Sequence, residues 1–158
     1  MKNKALLGLA VVSVIAYTAW HRTGGDDREA THANLALDRV WIDHMPKHDR
    51  DTIQVFVAIT EEPFGIFQAT SQWKGSFELF RYESHGNEFR IMYGQTGERE
   101  KVTTSATKCS KKDWDYCLEL DGASRGVKSY YSREGWEIDG AASVDDIRVR
   151  IDSILQQR

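Results

Sequence analysis

The 158-residue sequence predicts a mainly β domain, an antiparallel meander that forms a small barrel or a strongly curved sheet. It adds an N-terminal membrane helix and a C-terminal amphipathic helix. Three observations carry this. Short runs of alternating apolar residues succeed one another from residue 53 to residue 121, divided by Gly, Asn, Asp and Pro turn signals. An uncharged stretch of 16 residues, Ala5 to Trp20, follows two lysines. The last 16 residues then switch to helical spacing. No strand–helix–strand alternation points to a parallel sheet. A long meander must protect its edges by closing or by being covered, so the expectation is a small up-and-down barrel, or a strongly curved sheet with the C-terminal helix packed over one opening.

Along the chain, Lys2 and Lys4 precede Ala5–Trp20, which reads as a secretory signal or signal anchor over residues 1–22. As a helix it would rise roughly 24 Å, slightly short of a hydrocarbon core, with Tyr17 and Trp20 at the interface. Ala16-Tyr17-Thr18 could be cleaved, and a buried core helix is the alternative. Residues 23–33 are polar, with Gly24-Gly25 and acids Asp26, Asp27 and Glu29, and read as a linker. The exported domain is assigned to 34–158. Asn34 to Asp43 leaves helix and strand open, and His44 to Asp51 is a loop.

Ile53, Val55, Val57 and Ile59 alternate with Gln54, Phe56, Ala58 and Thr60 as in a strand. Strands are expected over Phe64 to Trp73, with a turn at Pro63 and Gly65, and over Ser76 to Tyr82. Phe89, Ile91 and Tyr93 alternate after the turn Ser84-His85-Gly86-Asn87, and Thr-rich Lys101 to Cys109 follows. Trp114, Tyr116, Leu118 and Leu120 make one face of the next strand and are expected to point inward. Residues 126–134 fit a helix or a strand, and Trp136 and Ile138 a last short strand. Ser143 to Gln157 is a helix: Ser143 can cap it, Asp146 stands at the capping-box position, and Val144, Ile147, Ile151, Ile154 and Leu155 share one side.

Composition bounds the function. The formal net charge is −3, while residues 1–25 carry +3, so the rest carries −6. A domain of that sign gains nothing from counterion release, which argues against nucleic acid as a partner. Lysines before the apolar stretch and acids after it put the N-terminus in the cytoplasm. The domain is then expected on the periplasmic or extracytoplasmic side of an inner membrane, held by a single pass through residues 5–20. Cys109 and Cys117 are the only cysteines, and an even count in an oxidising compartment suggests one disulfide. A symmetric hairpin centred on Asp113 would set them directly opposite each other on the outer face. Two thiolates eight apart with no His beside them make a poor zinc site.

His44 and His48, with Asp43, Asp49 and Asp51 nearby, are the nearest thing to a metal pair. Pro46 breaks the helix such a pair would need, so no metal is assigned. No Gly-x-Ser-x-Gly elbow, Gly-rich phosphate loop or Cys–His pairing with catalytic spacing is present, so no catalytic residue and no cofactor is assigned. The aromatic residues Trp41, Trp73, Trp114, Trp136, Tyr82, Tyr93, Tyr116, Tyr130 and Tyr131 suit a β core better than a ligand cavity or a partner surface.

Gln72-Trp73-Lys74-Gly75-Ser76-Phe77-Glu78-Leu79 resembles the opening strand of lipocalin-like barrels, where a Trp and a Gly sit close together. The order here is Trp-x-Gly, against the Gly-x-Trp of that family. The resemblance implies a barrel able to hold a small apolar ligand. Cys109 to Trp136 is similar to segments of uncharacterised exported, membrane-anchored bacterial proteins, which bears on compartment and adds no activity. The function expected is a membrane-tethered envelope protein with a non-enzymatic binding or accessory role, its partner a small apolar ligand or another envelope protein. A hydrolase using paired carboxylates and a structural subunit of an envelope complex are the rivals.

Overall fold

The computed structural model describes residues 35–71 and 74–157. The expected membrane helix over 5–20, the linker over 23–33 and Trp73 lie outside them. Eight strands follow in chain order: β1 (Trp41–Ile42), β2 (Ile53–Ile59), β3 (Phe64–Thr70), β4 (Gly75–His85), β5 (Glu88–Tyr93), β6 (Arg99–Lys108), β7 (Tyr116–Asp121) and β8 (Ser129–Ser132). Each pairs antiparallel with the next, and Ile42 pairs with Tyr131 to join β1 to β8 and close the barrel. Residues 126–134, readable either way, thus contain a strand. In the stretch left open between helix and strand, Leu35 and Ala36 are helical and Trp41–Ile42 form a two-residue strand, and Glu137 makes an isolated bridge to Arg39 where a last strand was expected.

The interior is packed with rings. Trp41, Phe56, Phe67, Phe80, Tyr82, Phe89, Tyr93 and Tyr130 share one cluster with Val102, Ala106, Leu118 and Leu120. Stacked pairs such as Tyr82–Phe89, 4.8 Å between centroids, fix their mutual positions. Gly65 pairs across the sheet with Phe80. A Cβ there would overlap the Phe80 ring and the Val57 carbonyl, so the absent side chain makes room for the ring.

The helix, α1 (Val144–Leu155), lies elsewhere than expected. Its Ile147, Ile151 and Ile154 pack against Val40, Ile42, Ile53, Val55, Val57, Ile59 and Ile66, the outward residues of β1–β3 and the segment before them. It therefore covers the outer wall and not an opening. The reason is visible in β2, which is apolar on both faces: one face fills the barrel, and the other needs a second cover. Ser143 caps α1, with the capping box to Asp146 complete. The Ser143 hydroxyl and backbone hold the Asp146 carboxyl below its ordinary value.

Both barrel ends are covered. At one, Ala36 is fully buried and Leu35 and Leu37 pack on the interior cluster. Asp38 takes a left-handed conformation (φ 53°), held by Thr60, whose N–H and Oγ1 donate to its carboxylate at 2.9 and 2.7 Å. Arg39, 6 % exposed, lies over the Tyr116 ring, donates to the Arg133 carbonyl at 2.8 Å and pairs with Glu137. At the other end the β7–β8 loop folds inward. Ala123 and Val127 pack on the cluster, and the Val127 N–H donates to the Tyr130 hydroxyl at 3.0 Å. Gly126, at φ 70°, leaves space for that hydroxyl.

Two details of the β6–β7 hairpin differ from expectation. Trp114 precedes β7 and packs on the outside with Trp136 and Tyr131, so the inward face is Tyr116, Leu118 and Leu120 alone. Thr107, not Cys109, faces Cys117, so the hairpin is centred on Lys112. The cause is local: Asp113 adopts a positive φ of 72°, and the turn closes one residue earlier than a symmetric one would.

Candidate binding surface

The interior carries polar groups, and each is used internally. Tyr82 donates to the Ile59 carbonyl at 2.7 Å, and burial pushes its hydroxyl above the ordinary phenol range. Burial likewise pushes the Tyr130 hydroxyl up to about 12. Tyr93 is raised first by burial and then by its hydrogen bond to Glu100.

Two carboxylates meet one guanidinium at the β7–β8 end. Glu78 points inward from β4, since it pairs with inward Phe67, and it accepts from Arg125 Nε at 2.8 Å. Glu98 takes the other edge of the same guanidinium, which lies 4.7 Å from the centre of the Tyr93 ring. These bonds raise the Arg125 pKa further. An acid pair for hydrolysis needs one carboxyl held neutral and one ionised. Here both carboxylates bond the same guanidinium, one on each edge, so the geometry is that of a clasp across the barrel end.

His44 lies between two carboxylates, Nδ1 at 3.0 Å from Asp43 and Nε2 at 3.3 Å from Asp51. Asp51 is held low by the Lys47 backbone N–H and then by His44. His48 instead borders a polar hollow of about 360 Å³ with Asp51, Thr70 and Asp152. Among the described residues no group of three or more His, Cys, Asp or Glu side chains could hold a metal ion. Cys109 and Cys117 stand at disulfide distance, Cα atoms 5.0 Å apart, diagonally across the outer face of the hairpin. Lys111 lies over Tyr131 and Arg133 over Trp114, so cations cover the aromatic seam beside the pair.

An open groove of about 1040 Å³ runs over the outer wall of β4–β6, bordered by the β2–β3 turn. Strand register sets its floor. Phe64 pairs with Arg81, Arg81 with Met92 and Met92 with Arg99, giving one row across four strands. The next row is Glu83, Arg90 and Lys101. Glu88 accepts from Arg90 at 3.1 Å and lies 3.7 Å from Lys101, and it is held below its ordinary value first by Arg90. The guanidinium groups of Arg81 and Arg99 make no bond or ion pair among the described residues. None of these residues was singled out from the sequence. Their outward alternation is visible there, but the register that lines them up is not.

No protein-family model matches the chain, no curated protein does, and no solved structure does. The closed antiparallel barrel by itself does not establish the lipocalin-like resemblance, and Gly75 to Leu79 opens the fourth strand, not the first.

Proposed function

We propose that this protein is an envelope protein, tethered to a membrane through residues 5–20, whose barrel has a non-enzymatic binding or accessory role exercised through its outer wall. The observation that carries the reading is the filled interior. Eight aromatic side chains occupy the space where a lipid carrier would keep a cavity, and both ends are covered. The groove over β4–β6, about 1040 Å³, is larger than the hollow beside His48, about 360 Å³. Carriage of a small apolar ligand is accordingly the weaker reading. The carboxylate hydrolase finds no support in the Glu78–Arg125–Glu98 clasp.

Two measurements test this. A reporter active only in the cytoplasm, fused after Arg158, is expected to stay silent; activity would overturn the tethered, exported placement. An apolar fluorescent probe titrated into the full-length protein in neutral detergent, against detergent alone, is expected to find no saturable interior site. Saturable uptake at one probe per chain, lost in a Phe56→Trp or Ala106→Leu variant that fills the interior further, would overturn the outer-wall reading.

A further inference from the structure

Resting on the outer-wall reading, we propose that the β4–β6 groove binds an extended acidic segment of a partner protein. The row Phe64–Arg81–Met92–Arg99 alternates apolar and cationic side chains and contains no acid. Arg81 and Arg99 flank Met92 on either side, each about 5 Å from it at Cα, so their stems stand roughly 10 Å apart. An extended chain advances about 3.3 Å per residue and presents every second side chain on one face, so same-face carboxylates two or four residues apart, about 7 or 13 Å, bracket that spacing and lie within reach of the long arginine side chains. Met92, 37 % exposed, offers an apolar contact between them.

Charge is available for this. Arg90 and Lys101 share Glu88, whereas the side chains of Arg81 and Arg99 have no partner among the described residues. Arginine's planar fork suits bidentate carboxylate recognition. Glu100 also borders the groove, but its carboxylate serves Tyr93 and the Ser124 N–H, the latter at 3.1 Å. The remaining acids, Glu61, Glu62 and Glu83, stand toward the β2–β3 turn, so the groove is polarised. They would repel an acidic segment from that rim and set its direction.

An anionic bilayer offers the same kind of charge but fits less well. The groove is concave while a bilayer is flat, so flat headgroups meet its rims and not the Arg81–Met92–Arg99 row along its floor.

The test uses the full-length protein in neutral detergent and a labelled peptide of alternating Glu and Leu, with a Gln/Leu peptide as control. Binding is expected for the Glu peptide, weakened by salt. Joint replacement R81E and R99E is expected to weaken it on the order of tenfold or more, the scale of two lost charge pairs. K47E, in the exposed β1–β2 loop beside the helix-covered wall and outside the groove, is expected to leave it unchanged. R81Q with R99Q serves if the double reversal fails to fold. Equal binding by the R81/R99 variants, an equal loss in K47E, or binding of the Gln peptide as tight as the Glu peptide would overturn the proposal. So would binding to phosphatidylglycerol vesicles with none to the peptide. Failure here with no saturable probe uptake removes the acidic segment alone; saturable uptake removes the outer-wall reading beneath it.

Discussion

The barrel has two outer walls built on the same pleat, and they are finished in opposite ways. On β1–β3 the outward residues include Ile42, Ile53, Val55, Val57, Ile59 and Ile66, all buried beneath α1. On β4–β6 the corresponding positions are Arg81, Glu83, Arg90, Met92, Arg99 and Lys101, all exposed. Inside, both halves contribute to one aromatic cluster. The first wall is thus part of the fold's stability, while the second contributes to it only through its inward residues. A wall freed from packing can carry recognition at small cost to folding.

That contrast is broken most severely by removing the cover. Truncation after Ala142 deletes α1 and uncovers the apolar wall. Each fully buried Ile contributes about 1.5–3 kcal/mol, so losing Ile147, Ile151 and Ile154 consumes most of a typical folding margin of about 5–15 kcal/mol. The truncated chain is expected to aggregate, read by size-exclusion chromatography and light scattering. A truncated domain that stays monomeric with an unchanged melting temperature would show that the wall needs no cover.

The interior comes next. Leu118 is fully buried among the rings. Leu118→Ala is expected to destabilise by about 2–5 kcal/mol in denaturant unfolding. A change within error would show that the cluster collapses around the gap.

These two elements also mark what the sequence could and could not say. Apolar alternation at 53–59 and 116–121 identified strands because period 2 is a local property. The stripe of α1 was equally legible, and its capping box was found at Ser143 and Asp146. Where the helix docks was not legible, since an apolar stripe states that it must be covered and not by what. The clue was β2, whose two apolar faces demand two partners, and it was read only as a strand. The groove failed for a related reason. Arg81, Met92 and Arg99 are far apart in sequence, and only register brings them into one row. Trp114 was misplaced because alternation was extended one step past the end of its strand.

The cysteine pair should matter less than the core. Cys109 and Cys117 close a short loop on the outer face. If they are joined in the mature protein, replacing both with Ser is expected to cost about 2–3 kcal/mol by the chain-entropy estimate. Non-reducing mass spectrometry of protein taken from the envelope decides whether the bridge exists: two alkylatable thiols in fresh material would exclude it.

A smaller effect is expected at the end of the cover. Ser143→Ala removes the N-cap and should cost about 1 kcal/mol. The sign of its pH dependence follows from Asp146, whose folded pKa is lowered by Ser143. The stabilisation is present above the unfolded value of 3.8 and is lost as pH falls through the lower folded value. The difference between wild type and S143A should therefore shrink on acidification below that point; a difference that grows would mean the capping bond is made by the neutral acid.

The smallest effect should come from the open wall, and it is the most informative. A buried Met→Ala change costs about 2–5 kcal/mol, because it removes apolar contacts and leaves a cavity. Met92 already meets water and lies between two arginines that need it for nothing in the isolated chain. Met92→Ala is expected to change stability by no more than about 0.5 kcal/mol, the ordinary range for a surface site. Ile59→Ala, at an outward position beneath the helix-covered wall, should cost several times more, so the pair measured under one set of conditions calibrates itself. If Met92→Ala costs as much as Ile59→Ala, the groove is covered in solution by something that stabilises the fold, and a concentration-dependent melting temperature would identify that cover as a second copy of the chain.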